Sequence, residues 1–162
     1  MDYHPIVSKI KNILESNNYW HEAFEHEEVK TSLEAAKARP GYSLSQGAKA
    51  MILRVKNNRS DKRFMMLVLP GDLKFSNSKV KQFLQVKDIR FATAEEINKI
   101  TEGVQIGGVP PFGNLFGLQV VVDKKLFNNK IIIFNAGDRK YSLAIKAEDY
   151  KKIVNPAIAD IT

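Results

Sequence analysis

Apolar residues recur along this chain with two periods, and these periods divide it into predicted helices and strands. Residues 4–17 carry apolar side chains at the three- and four-residue spacing of one helical face, with Pro5 in the opening turn. The same spacing predicts four further helices over residues 31–38, 76–86, 93–101 and 147–155. Thr31 or Ser32 can cap the first of these four, and Thr93 with Glu96 forms a capping box at the third. In the helix over 76–86, the apolar residues expected to face inward are Val80, Phe83 and Leu84.

Shorter apolar runs bounded by turn residues predict strands between these helices. Residues 48–56 and 63–72 are separated by the polar segment "NNRSDK", which indicates a β-hairpin. Further strands are predicted at residues 23–26, 89–92, 118–123, 130–137 and 140–146. Several strands follow one another directly, without the regular alternation of a doubly wound nucleotide fold. We therefore expect an α+β fold with a mixed, mostly antiparallel β-sheet, a barrel-like core and flanking helices.

The strand over 48–56 places a lysine on a face with apolar neighbours. Side chains alternate along a strand, so Lys49 shares a face with Met51 and Leu53, while Ile52 points to the other side. A lysine in that position either extends to solvent or stands at the edge of a pocket.

Length and charge narrow the class of protein. The 162 residues predict one domain over 1–162, with an N-terminal helix at about 4–17 and a core at about 22–155. The formal net charge of +7 attracts polyanions, of which nucleic acid is the commonest, although it also serves solubility alone. No apolar run approaches the roughly 18 residues of a membrane span, and no secretory signal is apparent. The absence of cysteine fits a reducing compartment, so we expect a cytoplasmic protein without membrane association.

The segment "GGVPPFG" at residues 107–113 is stiff and has few side chains. Gly107, Gly108 and Gly113 let a ligand or another backbone approach closely, and the two prolines between them restrict the backbone. Phe112 either closes the wall of a small pocket or packs beneath the loop.

Common catalytic signatures are absent. The sequence has no GxxxxGK[ST], GxSxG or HExxH motif, and its two closest histidines, His21 and His26, lack the spacing of a helical metal site. No metal and no cofactor are expected. Without cysteine, and without an apparent Ser–His pair, covalent catalysis is not expected.

Taken together and in order, several segments resemble one family. They are "HEEVKTSLEAAKA", "GAKAMIL", "LVLPGD", "IRFATAEE", "GGVPPFG", "VVVDKKL" and "FNAGDRKYSLAI", which together span roughly residues 22–155. The chain resembles the YbaK-type aminoacyl-tRNA editing domain, also found inserted in some prolyl-tRNA synthetases, and is most similar to free-standing members thought to act on seryl- and threonyl-tRNA.

The resemblance implies a hydrolase that acts in trans on the ester of mischarged tRNA carrying a small amino acid such as serine, threonine, alanine or cysteine. It implies tRNA as a partner, with an aminoacyl-tRNA synthetase as a second one. A catalytically silent tRNA-binding or synthetase-associated module is the alternative, and a small-molecule hydrolase on the same scaffold is a third possibility.

The resemblance also implies the site residues. Lys49, Gly107 and Gly108 correspond to the catalytic set, and the substrate-binding set is His26, Thr31, Ser32, Pro111, Phe112, Gly113 and Gly137. Asp123 also fits the family pattern, although a cap for the turn after its strand is the favoured interpretation. Ala50 departs from the polar residue that many members carry after the functional lysine, which leaves the amino-acid specificity open.

Overall fold

The computed structural model describes residues 3–29 and 31–162, with every side chain in these ranges except that of Ser32. Five α-helices occur in this part of the chain: α1 Pro5–Ser16, α2 Ser32–Ala38, α3 Asn77–Leu84, α4 Ala94–Thr101 and α5 Ala147–Val154. Eight strands accompany them: β1 His21–Glu25, β2 Ala48–Lys56, β3 Arg63–Pro70, β4 Asp88–Phe91, β5 Gln119–Asp123, β6 Ile131–Asp138, β7 Tyr141–Lys146 and β8 Ala157–Ala159. Three short 3₁₀ helices lie at Leu44–Gln46, Gly113–Phe116 and Lys124–Asn128.

The strands form two sheets. The three-stranded sheet has the order β1-β7-β6 and is antiparallel throughout, with a register shift near the end of β6. The five-stranded sheet has the order β4-β2-β3-β5-β8, in which the pairs of β2 are antiparallel and the pairs of β5 are parallel. The expected α+β class with a mixed, mostly antiparallel arrangement is confirmed. An isolated parallel bridge between Gly47 and Ile133 connects the two sheets.

Each sheet contributes a face to the larger hydrophobic core. That core contains Ile52 and Met66 from the five-stranded sheet, Phe134 and Leu143 from the three-stranded sheet, and the inward face of α1. A smaller core lies on the opposite face of the five-stranded sheet, under α3. The predicted alternation along β2 is confirmed, because Met51 and Leu53 belong to the smaller core while Ile52 belongs to the larger one.

The ends of the helices follow the capping rules. The Thr31 hydroxyl accepts the Glu34 amide at the start of α2, and the expected capping box of Thr93 and Glu96 is present at α4. The expectation for α3 is wrong in one respect, because Phe83 points outward with 44% of its surface exposed. Val80 and Leu84 are one turn apart and cover the smaller core, and Phe83 lies about 100° of rotation away from Leu84.

Asp123 anchors the C-terminal segment. Its buried carboxylate accepts hydrogen bonds from the amides of Lys125 at 3.2 Å and Ile161 at 3.0 Å, and Thr162 Oγ1 lies 3.4 Å away. The favoured interpretation of Asp123, a cap for the turn after its strand, is therefore confirmed. Strand β8, which the sequence pattern does not predict, extends the sheet beside this anchor. Within residues 3–29 and 31–162, no helix has the length and apolar character needed to span a lipid bilayer.

Candidate active site

A cavity of about 490 Å³ opens beside the first half of β2. Helix α2 and the turn after it form one wall, residues 47–52 form the second, and Phe91 with the start of α4 forms the third. Ile106, Gly107 and Val109 close the cavity from the loop side, and Asn135 reaches it from β6. The volume suits a small organic ligand, since such sites span roughly 300–1,000 Å³.

The position of this cavity follows from the length of β4. Strand β4 pairs only with residues 53–56 of β2, so the first half of β2 is paired in its sheet on the β3 side alone. Residues 48–52 of that half-paired stretch line the cavity. An unpaired strand edge presents backbone donors and acceptors, which a bound molecule can use.

Lys49 stands in the wall formed by β2. Its half-buried side chain donates a hydrogen bond of 2.7 Å from Nζ to the carbonyl oxygen of Leu73. Burial lowers the pKa of the Lys49 ammonium, an effect that Asp72 opposes and Lys74 reinforces. Ala50, the departure from the family pattern, presents only a methyl group to the same cavity.

The glycine loop reaches the cavity through Gly107 and not through Gly108. The Gly107 amide has no hydrogen-bond partner among the residues that the structure describes, and its carbonyl oxygen accepts from Asn135 Nδ2 at 2.7 Å. The amide of Gly108 instead donates to the carbonyl oxygen of Gln105 at 2.9 Å and is already used inside the turn. A Cβ on Gly108 would lie 3.3 Å from the backbone nitrogen of Arg139, so glycine lets this loop sit close against the turn between β6 and β7.

The second half of the glycine loop is buried beneath its first half. It consists of Pro111, Phe112 and Gly113. Phe112 is fully buried and makes edge-to-face contacts with Phe134 and Tyr150, at ring-centroid distances of 5.2 and 5.5 Å. The Tyr150 hydroxyl donates to the carbonyl oxygen of Pro111 at 2.6 Å. None of the three belongs to the cavity wall in the described part of the chain. Of the two alternatives for Phe112, packing beneath the loop is the one observed.

The remaining predicted site residues also fall into two groups, those that line the cavity and those that pack outside it. Thr31 lines the cavity as well as capping α2, whereas the side chain of Ser32 lies outside what the structure describes. Gly137 is a packing residue, because a Cβ there would lie 2.1 Å from Ile6 Cγ2 of α1. Gly113 is similarly enclosed, with Val120 Cγ2 2.7 Å from the position of a Cβ.

His26 lies behind the cavity, where it does form a Ser–His pair that sequence inspection missed. Its Nε2 lies 2.7 Å from Ser142 Oγ, and its Nδ1 lies 2.7 Å from the carbonyl oxygen of Glu27. The two residues are 116 positions apart, so no local motif announces them. Ser142 is fully buried, and neither residue is part of the described cavity wall. The pair therefore acts as support and not as a nucleophile with its base.

Arg39 is the cavity residue that the sequence analysis did not single out. Its Nε donates to Ser142 Oγ at 3.0 Å and its Nη2 donates to Asn135 Oδ1 at 2.9 Å, with only 5% of the residue exposed. Burial lowers the pKa of Arg39 to about 10, which leaves the guanidinium charged at neutral pH. Sequence shows Arg39 only as a polar residue before the helix-ending Pro40, and nothing local predicts its burial.

The charges around the cavity are of one sign. Arg39 and Lys49 are the charged residues in its described wall, and no aspartate or glutamate contributes to that wall. Among the described residues, no group of three or more His, Asp or Glu side chains is arranged to hold a metal ion. The cavity is thus suited to a ligand that carries or develops negative charge.

Comparison with known proteins agrees with this geometry. The sequence model of the aminoacyl-tRNA editing domain matches residues 26–153, which contain every wall of the cavity. The chain belongs to the aminoacyl-tRNA editing domain family. The YbaK-type resemblance seen in the sequence is therefore confirmed.

Relatives of this aminoacyl-tRNA editing domain occur both alone and inside larger enzymes. The multifunctional Ser/Thr-tRNA deacylase ProXp-y of Escherichia coli K12 is 31% identical over 128 residues, covering 78% of this chain and 75% of the relative. A proline–tRNA ligase of Bacillus licheniformis is 39% identical over 85 residues, which are 52% of this chain but 14% of the ligase. A solved structure of a protein proposed to be a trans-editing enzyme for prolyl-tRNA synthetase superimposes with a TM-score of 0.80 at 20% identity. It covers 99% of both chains and shows the shared fold.

Proposed function

We propose that this protein is a trans-acting aminoacyl-tRNA deacylase that hydrolyses the ester of tRNA mischarged with a small amino acid. The observation that carries the proposal is a cavity whose described charged residues are both cationic, within a chain of the editing-domain family. An aminoacyl ester develops negative charge on its acyl oxygen as water attacks, and fixed cations and amides stabilise that charge. The setting would be the cytoplasm, where tRNA is charged.

The cavity and its mouth match the parts of a charged tRNA end. A volume of about 490 Å³ accommodates an aminoacyl group with part of the terminal ribose and excludes the body of the tRNA. The half-paired edge of β2 offers backbone groups to the ribose hydroxyls and the amino group. Lys49, which is more exposed than Arg39, is suited to the terminal phosphate or to orienting the aminoacyl group.

The Gly107 amide is a further group in the catalytic arrangement that we propose. Gly107 lines the cavity, and its carbonyl oxygen accepts a hydrogen bond from Asn135 Nδ2, so the orientation of the loop is set before substrate arrives. A pre-oriented N–H group spends little free energy on reorganisation when charge develops beside it. Gly108 contributes through the turn that it permits and not through its own amide.

The proposal is tested with purified protein and a panel of tRNAs charged with serine, threonine, alanine or cysteine. We expect hydrolysis of at least one of them, measured as release of labelled amino acid above the uncatalysed rate. A synthetase should be added in a parallel series, because the resemblance implies such a partner. Salt-dependent binding of tRNA without hydrolysis of any member would favour the alternative, a catalytically silent tRNA-binding module.

An exposed aromatic ring at the mouth predicts how the tRNA end is held. Phe91 is 59% exposed, lines the cavity, and is fixed by an edge contact with Phe75 at 5.8 Å between ring centroids. Exposed rings of this kind stack on bases, a contact worth about 1–3 kcal/mol per base. We expect Phe91→Ala to raise the KM for charged tRNA about tenfold, with kcat unchanged, because the terminal adenine loses its platform.

Phe83→Ala is the matched control for that measurement. Phe83 is also an exposed phenylalanine, at 44%, but lies on α3 away from the described cavity wall. Its substitution should leave both kinetic constants unchanged. Equal effects of the two substitutions, or a fall in kcat alone for Phe91→Ala, would contradict the stacking role.

A further inference from the structure

Arg39 is an unusual residue to bury at this position. It is 5% exposed, and no carboxylate lies within salt-bridge distance of its guanidinium among the described residues. Removing a charged group from water is unfavourable unless a counter-charge and hydrogen bonds compensate for it. The two neutral partners, Ser142 and Asn135, supply hydrogen bonds but no charge. A bound molecule with negative charge would complete the site.

Part of the guanidinium remains available to such a molecule. A guanidinium group has five N–H donors, and the hydrogen bonds to Ser142 and Asn135 use two of them. Nη1 makes no hydrogen bond to a described residue, and it keeps some exposure, because it is not among the fully buried side-chain nitrogens that lack a partner. Nη1 lies 3.7 Å from the position that a Cβ on Gly47 would occupy, and both residues line the cavity. A side chain at position 47 would begin in van der Waals contact with Nη1, so glycine keeps that side of the guanidinium uncovered.

The plane of the guanidinium is held by a connected set of hydrogen bonds. Asn135 accepts from Arg39 through Oδ1 and donates through Nδ2 to the Gly107 carbonyl oxygen, so one side chain orients both the cation and the loop. Ser142 Oγ lies 3.2 Å from the same Oδ1 and 2.7 Å from His26 Nε2. This arrangement fixes Arg39 before substrate binds, as stabilisation of a developing charge requires.

We propose that Arg39 is a catalytic residue whose guanidinium binds the acyl carbonyl oxygen of the aminoacyl ester and stabilises the oxyanion formed there. This inference rests on the proposed deacylase function. The acyl group is the leading end of a charged tRNA, so it enters the cavity ahead of the phosphodiester. The more buried cation accordingly meets the acyl oxygen, while the more exposed Lys49 orients the aminoacyl group or binds the terminal phosphate.

The reaction balances without a further reactant. Water adds to the acyl carbon as one of its protons departs, and the carbonyl π pair moves onto the oxygen beside Arg39. The pair then re-forms the carbonyl as the bond from the acyl carbon to the ribose oxygen breaks. That oxygen leaves as a hydroxyl, with the proton lost by water, and the products are free amino acid and uncharged tRNA.

The test compares Arg39→Gln with the unaltered protein on two readouts. Single-turnover hydrolysis of a tRNA substrate found active in the panel should slow about 100-fold, the size of effect seen when one oxyanion donor is removed. The Kd for the same tRNA carrying its amino acid through an amide, which is not hydrolysed, should change less than about threefold, because the oxyanion forms only in the transition state.

Arg54→Gln is the matched control, since Arg54 is also largely buried but pairs with Asp88 outside the cavity wall. Its hydrolysis rate should match that of the unaltered protein. Arg39→Lys provides a second variant if Arg39→Gln does not fold, and should slow hydrolysis at least tenfold because an ammonium lacks the planar fork.

Three outcomes would overturn the inference. An unchanged rate in a folded Arg39 variant would show that the residue is only structural. Equal losses in rate and in affinity for the amide analogue would assign Arg39 to ground-state binding, such as to a phosphate. Absence of hydrolysis by the unaltered protein would overturn the deacylase function itself. The reaction of the unaltered protein, run beside the variants, distinguishes this outcome from a failure of the Arg39 proposal alone.

Discussion

Replacing Lys49 with alanine is expected to lower the deacylation rate about 1,000-fold while the protein remains folded. Lys49 would orient the aminoacyl group, and a misplacement of the reacting group by about 1 Å alone costs about 100-fold, so complete loss of the orienting ammonium should cost more. Lys49 lines the cavity, and its Nζ is held by the Leu73 carbonyl oxygen, so the ammonium is in place before substrate binds. Loss of this one hydrogen bond should cost only about 1 kcal/mol of unfolding free energy. Single-turnover hydrolysis and urea unfolding of the same preparation measure the two effects.

The pH dependence gives an independent check on the charged form of Lys49. Burial lowers the pKa of this side chain below its ordinary value of 10.5. Because the protonated form is the active one in the proposal, the enzymatic rate should fall as pH rises through that lowered pKa. This alkaline limb is taken after subtraction of uncatalysed hydrolysis. In Lys49→Ala only the part contributed by Arg39, whose pKa burial lowers to about 10, should remain.

Lys74→Ala is the control for both measurements. Lys74 is exposed and lies near enough to influence Lys49, but it is not part of the described cavity wall. Its removal should leave hydrolysis within about twofold of the original, since surface charges are largely screened. If Lys49→Ala retains full activity, or if Lys74→Ala is equally impaired, Lys49 does not act in the chemistry.

The largest expected effect on stability comes from Gly137→Ala. A Cβ at this position would lie 2.1 Å from Ile6 Cγ2 and 3.4 Å from Val7 Cγ2, so it would push α1 away from β6. The φ angle of +117° is also one that residues with a side chain rarely adopt. Overpacking and backbone strain together should lower the free energy of unfolding by about 4 kcal/mol. Urea unfolding followed by circular dichroism measures this change.

Gly41→Ala separates the two contributions. Gly41 has a φ of +88°, but no atom lies within 4 Å of the position of its Cβ, so only the strain applies. The expected loss is about 1–2 kcal/mol. The resemblance implies that Gly137 binds substrate, whereas its packing assigns it to the joint between α1 and β6. Loss of activity in a Gly137→Ala protein of undiminished stability would support the substrate-binding role and contradict the packing one.

Structural features that depend on residues close together in sequence could be predicted from the sequence alone. The capping box of Thr93 and Glu96 depends on a three-residue spacing, and the opposite faces of Met51 and Ile52 depend on the two-residue period of a strand. The loop at 107–113 was recognisable because glycine and proline restrict the backbone in known ways. The resemblance to a family then indicated Lys49 and Gly107, which both line the cavity.

Structural features that depend on residues far apart in sequence could not be predicted in this way. The buried guanidinium of Arg39 is oriented by hydrogen bonds to Asn135 and Ser142, which lie 96 and 103 residues away. No periodicity in the sequence predicts contacts over such distances. The division of the strands into two sheets depends likewise on long-range pairing, such as the parallel pair of β3 and β5. Phe83 illustrates the limit within one helix, because helical spacing alone does not say where the buried face of α3 ends.

The two cations of the cavity are attached to different sheets. Lys49 belongs to β2, whereas Arg39 is tied through Ser142 and Asn135 to β7 and β6, and in the described chain one isolated backbone bridge at Gly47 and Ile133 links the sheets. A molecule bound by both side chains would therefore link the two sheets and stabilise the contact between them. Binding of such a molecule should slow the hydrogen exchange of backbone amides where the two sheets meet, including amides that do not contact the molecule.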